Sequence, residues 1–248
     1  MAEAVSPDAV TTLVVGRPEK ANALRREDKA DLATRIRQAA ADGADAVVLT
    51  GEPSRAFCAG SDIDEMADFG AVDMRSMLEA ELSVYRALLE VPVPVVAAVN
   101  GPAMGAGFIV AMCCDQLVMA EDAVVSLPEL SIGVSIPLHG FILPFIVGLG
   151  RARTFYYRGV RCGAEEAERL GIANEVTSTV DVTPVAVQRS RELAAIQGGA
   201  FATQKRLLNQ HLLERLVGPV VDVSLAESSV PFETGGPGAR MRQVRSSR

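Results

Sequence analysis

The 248-residue chain contains no tryptophan, and aromatic residues make up only 4% of it. Its hydrophobic residues, 49% of the total, must therefore build a core mainly from Ala, Val, Leu and Ile. Histidine is also scarce, with two residues, and the four cysteines show no C-x-x-C spacing. We therefore expect no metal site, and we expect the cysteines to be reduced, buried thiols.

The sequence also lacks a long uninterrupted hydrophobic run and an excess of positive charge. Its most apolar stretch, residues 91–120, is interrupted by prolines, Asn100 and Asp115, so we do not expect it to span a membrane. The net charge of −7 argues against a nucleic-acid partner. The N-terminal residues MAEAVSPDAV are partly acidic and contain no apolar segment typical of a secretory signal. We therefore expect the chain to be cytoplasmic.

Strand and helix patterns alternate in the first half of the chain. Short apolar runs predict strands at residues 9–15, 46–50 and 95–99, and helical spacing of apolar residues predicts helices at 22–41 and 73–89. This order predicts an α/β fold in which the strands pair in parallel.

The remainder of the chain is predicted to be mainly helical. A helix at 108–114 and short strands at 116–119 and 124–126 are followed by apolar stripes that predict further helices. These helices are expected at residues 151–157, 164–170, 184–196, 203–216 and 220–230. We expect their apolar faces to contact a neighbouring subunit. The last few residues of the tail PFETGGPGARMRQVRSSR are expected to be frayed.

Two loops rich in small residues are candidates for a binding site. They are FCAGSDIDEM (57–66) and NGPAMGAG (100–107), and each could bring backbone N–H groups close to a ligand. The first loop alone also fits an ordinary helix start with Ser61 or Asp62 as the N-cap. Two such loops aimed at one point would form an oxyanion hole, which stabilises negative charge that develops on a carbonyl oxygen.

Four motifs occur in the order found in the enoyl-CoA hydratase/isomerase, or crotonase, superfamily, which the chain resembles from about residue 10 to about residue 216. The motifs are RPEKANAL (17–24), FCAGSDI (57–63), NGPAMGAGF (100–108) and SLPELSIGV (126–134). The resemblance implies a core of ββα units over residues 1–195, wound as a spiral with two nearly perpendicular sheets. It also implies a helical C-terminal region over residues 196–248, with a partly disordered tail, that forms homotrimers or hexamers.

The same resemblance implies where the substrate binds. The backbone N–H groups of Ser61 and Ala106 would form the oxyanion hole for a CoA-linked or carrier-bound thioester. No separate cofactor is implied, because CoA is part of the substrate. Further substrate-binding positions are Lys20, Ala21, Ala59, Gly60, Asp62, Ile63 and Gly105, of which Lys20 and Ala21 would meet the adenine end of CoA. Candidate partners of the CoA phosphates are Arg17, Arg25 and Lys205.

The catalytic positions distinguish the reactions of this superfamily. Its hydratases use two glutamates, whose positions are occupied here by Ile109 and Glu129. A single carboxylate is sufficient to move a proton from the carbon α to a thioester to the γ carbon, while the oxyanion hole holds the dienolate. The pattern therefore resembles single-glutamate enoyl-CoA isomerases, with Glu129 as the proton carrier. His139 is a candidate second acid or base.

Three interpretations of the sequence stay open. The first is the isomerisation of 3-enoyl-CoA to 2-enoyl-CoA. The second is another acyl-thioester reaction of the superfamily, such as hydration, dehydration, decarboxylation or a step in specialised metabolite assembly. The third is a catalytically degenerate scaffold that binds acyl-CoA. Neither the acyl chain nor the choice between CoA and a carrier protein follows from the sequence.

Overall fold

The computed structural model describes residues 9–196, 199–234 and 236–246, which form two β-sheets surrounded by helices. The strands are β1 (Val10–Val14), β2 (Ala46–Thr50), β3 (Val95–Val99), β4 (Ala103–Met104), β5 (Gln116–Ala120), β6 (Val124–Ser126), β7 (Cys162–Gly163) and β8 (Glu175–Thr177). The α-helices are α1 (Arg26–Ala41), α2 (Ile63–Met66), α3 (Ala71–Glu90), α4 (Ala106–Met112), α5 (Pro137–Arg158), α6 (Ala164–Arg169), α7 (Val182–Ala194), α8 (Ala200–Arg215), α9 (Pro219–Glu233) and α10 (Gly236–Ser246). Short 3-10 helices cover Pro18–Lys20 and Glu129–Ile132.

The larger sheet is parallel, with the strand order β1-β2-β3-β5-β8. Every residue of β2 (AVVLT) and β3 (VVAAV) is buried, as expected for central strands covered on both faces. Helix α7 packs against β2 and β3, whereas α1 and α3 pack against each other. These features confirm the predicted α/β class and the parallel pairing.

The smaller sheet has the order β4-β6-β7 and lies next to the candidate site. Strand β6 pairs in parallel with β4 and antiparallel with β7. The sequence patterns did not indicate β4 or β7, because each has only two residues and depends on pairing with β6. The two sheets agree with the fold that the family resemblance implies.

Helix α5 is much longer than predicted. The sequence pattern indicated a helix only at residues 151–157, but the helix begins at Pro137, whose missing N–H is tolerated in the first turn. Pro144 lies inside the helix, and Gly148 has non-helical angles of φ 76° and ψ 155° that divide it into two segments. Because proline and glycine usually end a helix, these two residues kept the first part of α5 from being predicted as helical.

The C-terminal region is helical through α10, which the sequence patterns did not predict. Met241 of α10 and Phe232 of α9 are buried, so this part of the tail contributes to the core. The frayed end predicted for the tail falls on residues 247 and 248, which lie outside the described residues. Among the residues that are described, no helix is both long enough and apolar enough to cross a lipid bilayer.

Lys205 holds helix α8 on the core and is not a surface cation. Its Nζ donates to Oδ2 of Asp115 at 2.7 Å and to the carbonyl oxygen of Val93 at 3.1 Å. Its side chain is only 3% exposed. The suggestion that Lys205 binds a CoA phosphate is therefore wrong, because its charge is used inside the protein.

Candidate active site

The two loops predicted to bind the substrate leave the same edge of the larger sheet. Strands β2 and β3 are parallel neighbours, so the segments that follow them begin side by side. The Asn100 side chain joins these segments, since Oδ1 accepts from the Gly51 N–H at 2.9 Å and Nδ2 donates to the Ser54 carbonyl oxygen at 2.8 Å. The motif asparagine thus holds the end of β3 against the loop after β2.

Backbone pairing continues between the loops towards the site. The Cys58 N–H donates to the Pro102 carbonyl oxygen at 3.2 Å, and the Met104 N–H donates to the Cys58 carbonyl oxygen at 2.9 Å. A Cβ atom added to Gly107 would lie 2.5 Å from Cβ of Cys58. Glycine at this position therefore allows α4 to pack directly on the first loop.

The predicted oxyanion residues, Ser61 and Ala106, lie on these two joined loops. Gly60 has a positive φ of 91°, and a Cβ atom there would lie 3.6 Å from the Ala106 nitrogen. Ala106 is the first residue of α4, where the helix offers its N–H no acceptor. In the part of the chain that the structure describes, neither the Ser61 N–H nor the Ala106 N–H donates to a backbone carbonyl.

A cavity of about 70 Å³ lies between the two loops and the segment after β6. It brings together most of the residues that the sequence motifs indicated. Those lining it are Ala59, Gly60, Ser61, Ile63, Gly105, Ala106 and Glu129. The other lining residues are apolar, namely Met66, Met104, Pro128, Ile132, Val134 and Ile136. The cavity therefore combines two sets of backbone donors, a carboxylate and apolar walls.

Glu129 reaches this cavity because of the smaller sheet. Strands β4 and β6 run in parallel, and the Gly105 N–H donates to the Ser126 carbonyl oxygen at 2.9 Å just beyond their ends. A Cβ atom added to Gly105 would lie 2.7 Å from Oε1 of Glu129. The Glu129 side chain is 14% exposed, and Oε1 is buried without a hydrogen bond among the described residues.

A second cavity, of about 340 Å³, extends from Glu129 along α5. Glu129, Val134 and Ile136 line both cavities, so the carboxylate stands where they meet. The second cavity also contains Tyr156, whose buried hydroxyl has no hydrogen-bond partner among the described residues. Burial, and then the nearby Glu129, raise the pKa of Tyr156 well above its ordinary value. Its hydroxyl is therefore a neutral donor, which no sequence motif indicated.

His139, the candidate second acid or base, is buried beside Glu129. Its Nε2 lies 2.9 Å from Oε1 of Glu81, and its Nδ1 lies 3.3 Å from Oε1 of Glu129. The latter contact is short enough for an ion pair but is not aligned as a hydrogen bond. Burial alone would lower the pKa of His139. The neighbouring carboxylates of Glu129 and Glu81 outweigh this effect and raise the pKa to about 9. The two carboxylates therefore favour the cationic form of the imidazole at neutral pH.

Three residues predicted to bind substrate lie outside this cavity. Lys20 and Ala21 are on an exposed turn, where the Ala21 carbonyl oxygen accepts from the Ala59 N–H at 3.0 Å. Asp62 is the N-cap of α2, and its carboxylate accepts from backbone N–H groups in the first turn. Asp62 therefore stabilises the start of α2, and its carboxylate is engaged within the protein.

The arginines considered as phosphate partners are also paired within the protein. Arg17 forms ion pairs with Asp28 and Asp62, and Arg25 pairs with Glu27 and Asp28. Burial opposes ionisation of Asp28 and Asp62, but the arginines and backbone donors still lower the pKa of both carboxyls. Arg17 therefore links the first loop to α1 through Asp62 and Asp28, whereas Arg25 pairs with residues at the start of α1.

The family resemblance places Ile109 at the position of the first of the two hydratase glutamates. It lies on α4, is fully buried in the hydrophobic core and lines neither cavity. Glu129 is thus the only acidic residue among the described residues that line the two cavities. No group of three or more His, Cys, Asp or Glu within the described ranges is arranged to hold a metal ion.

Comparison with known proteins identifies a family for the chain. A family model described as enoyl-CoA hydratase/isomerase matches residues 6–220. A Mycobacterium bovis protein named as a probable enoyl-CoA hydratase is 36% identical, over 82% of this chain and 79% of that protein. The crotonyl-CoA hydratase of Syntrophomonas wolfei is 31% identical, over 71% of this chain and 69% of its own length. The crystal structure of an enoyl-CoA hydratase/isomerase from Mycobacterium paratuberculosis has a TM-score of 0.83 at 28% identity, covering 95% of this chain and 94% of that one.

Proposed function

The chain belongs to the enoyl-CoA hydratase/isomerase family, and we propose that it moves the double bond of a 3-enoyl-CoA thioester to the 2-position. One observation carries this proposal. Glu129 is the only carboxylate among the described residues lining the cavities, and the position that corresponds to the first hydratase glutamate holds the buried Ile109. A reaction that needs a single proton carrier fits this site better than one that must also activate water.

The proposed reaction proceeds through a dienolate. The thioester oxygen accepts hydrogen bonds from the Ser61 and Ala106 N–H groups, and Glu129 removes a proton from the α carbon. The electrons of the broken C–H bond delocalise towards this oxygen, where one well-placed donor is worth about 100-fold or more in rate. Glu129 then returns the proton at the γ carbon, which leaves the double bond between the α and β carbons.

The shape of the site supports this sequence of steps. The smaller cavity accommodates the thioester group, and the larger cavity accommodates the acyl chain beyond Glu129. The larger cavity is lined in large part by apolar residues such as Leu130, Pro144 and Ala152, and its polar lining residues include His139, Arg153 and Tyr156. Apolar walls suit a hydrocarbon chain and disfavour the entry of water that would compete with proton return.

Hydration of a 2-enoyl thioester is the second candidate, because the similar relatives are named mostly as hydratases. A hydratase needs a second group to hold or activate the water, and Ile109 cannot do so. The Tyr156 hydroxyl, buried without a partner among the described residues and lining the same cavity as Glu129, is the group that favours this alternative.

A direct assay separates the two candidates. The purified protein is supplied with a 3-enoyl-CoA and, separately, with crotonyl-CoA, and the products are analysed by chromatography and mass spectrometry. We expect the 3-enoyl-CoA to give a product of unchanged mass with a conjugated double bond, and crotonyl-CoA to gain little water. Rapid formation of 3-hydroxybutyryl-CoA together with slow isomerisation would contradict the proposal and favour hydration.

We also propose that the protein assembles as a homotrimer, or as a hexamer of two trimers, as the family resemblance implies. Helices α5 and α8 expose large apolar side chains, including Phe145, Leu149, Tyr157 and Leu208. Leu149 and Tyr157 also line the larger cavity, so a neighbouring subunit that covers them would help to close it. Light scattering should give three or six times the chain mass of 26.2 kDa, and a monomeric mass would contradict this prediction.

A further inference from the structure

A chain of alternating buried charges runs from α1 to Glu129. Lys29 Nζ donates to Oε2 of Glu81, Oε1 of Glu81 lies 2.9 Å from His139 Nε2, and His139 Nδ1 faces Glu129. The side chains of Lys29, Glu81 and His139 are only 1–2% exposed. With Glu129 ionised, two positive and two negative charges alternate, so the group as a whole is neutral. We call Lys29, Glu81 and His139 the buried charge chain.

The other end of the buried charge chain reaches the oxyanion loop. Lys29 Nζ also donates to Oγ of Ser61 at 2.8 Å. The three members of the chain lie on α1, α3 and α5, each of which contributes buried apolar residues to the core. One continuous set of contacts therefore links Ser61, a proposed oxyanion donor, to Glu129, the proposed proton carrier.

Stability alone does not account for these buried charges. Ionised groups lose their hydration when they are buried, and a buried ion pair is often replaced by apolar residues of similar volume without loss of stability. Around Lys29 and Glu81 the helices already supply apolar neighbours such as Leu32 and Val84. A functional use is consistent with the position of the charges, since both ends of the chain touch the proposed site.

We propose that the buried charge chain is a positioning device that fixes Glu129 relative to the oxyanion hole, with His139 as the cation that orients its carboxylate. This inference rests on the proposed function, in which Glu129 carries the proton. His139 faces Oε1, which is buried beside Gly105, and this leaves Oε2 as the oxygen that meets the substrate carbons. His139 acts through Glu129 and is a positioning residue.

The protonation states support this role. Burial alone would raise the pKa of Glu81, but Lys29 and His139 hold it far below its usual range, so Glu81 remains an anion. The titratable groups facing His139 are Glu81 and Tyr85 of α3 and Glu129 of the segment after β6, with Lys29 of α1 behind Glu81. Because the pKa of His139 is raised to about 9, the protonated form of His139 beside Glu129 is favoured at neutral pH.

Two further neighbours of the buried charge chain stay uncharged. Tyr85 donates a hydrogen bond from its hydroxyl to Oε1 of Glu81 at 2.9 Å, and Cys113, directly after α4, lies near Tyr85. Burial raises the pKa of both groups well above their ordinary values. As the pH rises above neutral, His139 is therefore the first of these groups to lose a proton. The positive charge that it places beside Glu129 is lost as the pH rises through about 9.

The first test is an NMR titration of the wild-type protein labelled with ¹⁵N in its imidazole rings. The chain has only two histidines, and a His211→Gln variant assigns the signals because its side chain is 81% exposed and outside the cavities. We expect His139 to be cationic at pH 7 and to lose its proton near pH 9. A neutral His139 at pH 7 would overturn the inference, whatever reaction the protein catalyses.

The second test is the pH profile of turnover with the thioester that the protein converts. The wild-type rate should fall above pH 9, where His139 loses its proton, and this fall should be absent in His139→Gln. His139→Gln should also lower kcat about 100-fold with little change in KM, because misplacing a catalytic carboxylate by about 1 Å lowers the rate by that factor. Glu81→Gln should move that fall to lower pH, since Glu81 raises the pKa of His139. His211→Gln should retain the wild-type rate and profile.

The outcomes separate this inference from the proposed function. If the product is a hydrate but His139 titrates near pH 9 and its replacement changes kcat and the profile as expected, the isomerase proposal fails and the positioning role stands. Wild-type kcat in folded His139→Gln, or an alkaline limb that is unchanged in both this variant and Glu81→Gln, overturns the positioning role. If His139→Gln does not fold, the Glu81→Gln profile and the titration decide.

Discussion

Replacing Glu129 with glutamine is expected to lower the rate of isomerisation by about 1,000-fold or more, within the range that general acid–base catalysis contributes. Glutamine keeps the size of the side chain and can still face His139, but it cannot accept a proton from the α carbon. Glu129 is the carboxylate at the junction of the two cavities, and no other carboxylate is found among the described residues that line them. The measurement is steady-state turnover of a 3-enoyl-CoA.

The matched control for this variant is Glu121→Gln. Glu121 is exposed in the turn between β5 and β6 and lines neither cavity, so its replacement removes a carboxylate that is not part of the site. We expect wild-type turnover for Glu121→Gln and a KM for Glu129→Gln close to that of the wild type. Turnover by Glu129→Gln within a few-fold of the wild type would show that another group carries the proton.

Replacing Gly105 with alanine is expected to reduce kcat by about 100-fold, the loss typical of a misplaced catalytic group. The new Cβ atom would lie 2.7 Å from Oε1 of Glu129, so the carboxylate would have to move. In addition, Gly105 has φ 54° and ψ −127°, a conformation that side chains of L-residues rarely adopt. A change in these angles would also turn the N–H of Ala106 away from the thioester oxygen.

Gly163→Ala is the control for this second prediction. Gly163 precedes α6 with a negative φ, and a Cβ atom there would meet nothing within 4 Å. Turnover, circular dichroism and thermal unfolding should be close to those of the wild type for Gly163→Ala. A folded Gly105→Ala variant with wild-type kcat would contradict the close packing of Glu129 against the second loop.

The elements that the sequence predicted well are those with strong local patterns. The strands at 46–50 and 95–99 have the predicted bounds, because each is a short apolar run that ends at turn residues. The helix predicted at 73–89 covers Ala71–Glu90, because its apolar stripe is continuous. The first part of α5 was missed because Pro144 and Gly148 interrupt a helix that packing against the core supports.

The sequence motifs indicated that Ser61, Ala106 and Glu129 lie in one site. The pairing of strands in the two sheets explains physically why they do. Ser61, Ala106 and Glu129 lie 23 or more positions apart in sequence, yet the parallel pairs β2–β3 and β4–β6 bring their segments to one cavity. Strand β4 has two residues and no detectable pattern of its own. Its pairing, which places Glu129 beside the second loop, could not be read from local sequence.

The buried charge chain was missed because lysine and glutamate on a helix usually indicate a solvated face. A signal is nevertheless present in the sequence. Lys29 continues the apolar spacing of Leu32, Ala33 and Ile36 on α1, so it occupies a position on the core-facing side of the helix. Glu81 likewise falls within the apolar stripe of α3. Charged residues at core positions of two neighbouring helices indicate a buried pair, although periodicity alone does not identify His139 as their partner.

The proton transfer itself provides the most direct test of the proposed chemistry. A 3-enoyl-CoA that carries deuterium at the α carbon is converted by the wild type and by Glu129→Gln, and the early product is analysed by mass spectrometry and NMR. We predict an isomer without added water, with part of the deuterium at the γ carbon, and almost no product from the variant. An undiminished rate in Glu129→Gln, or a main product that contains one added water, would contradict the account.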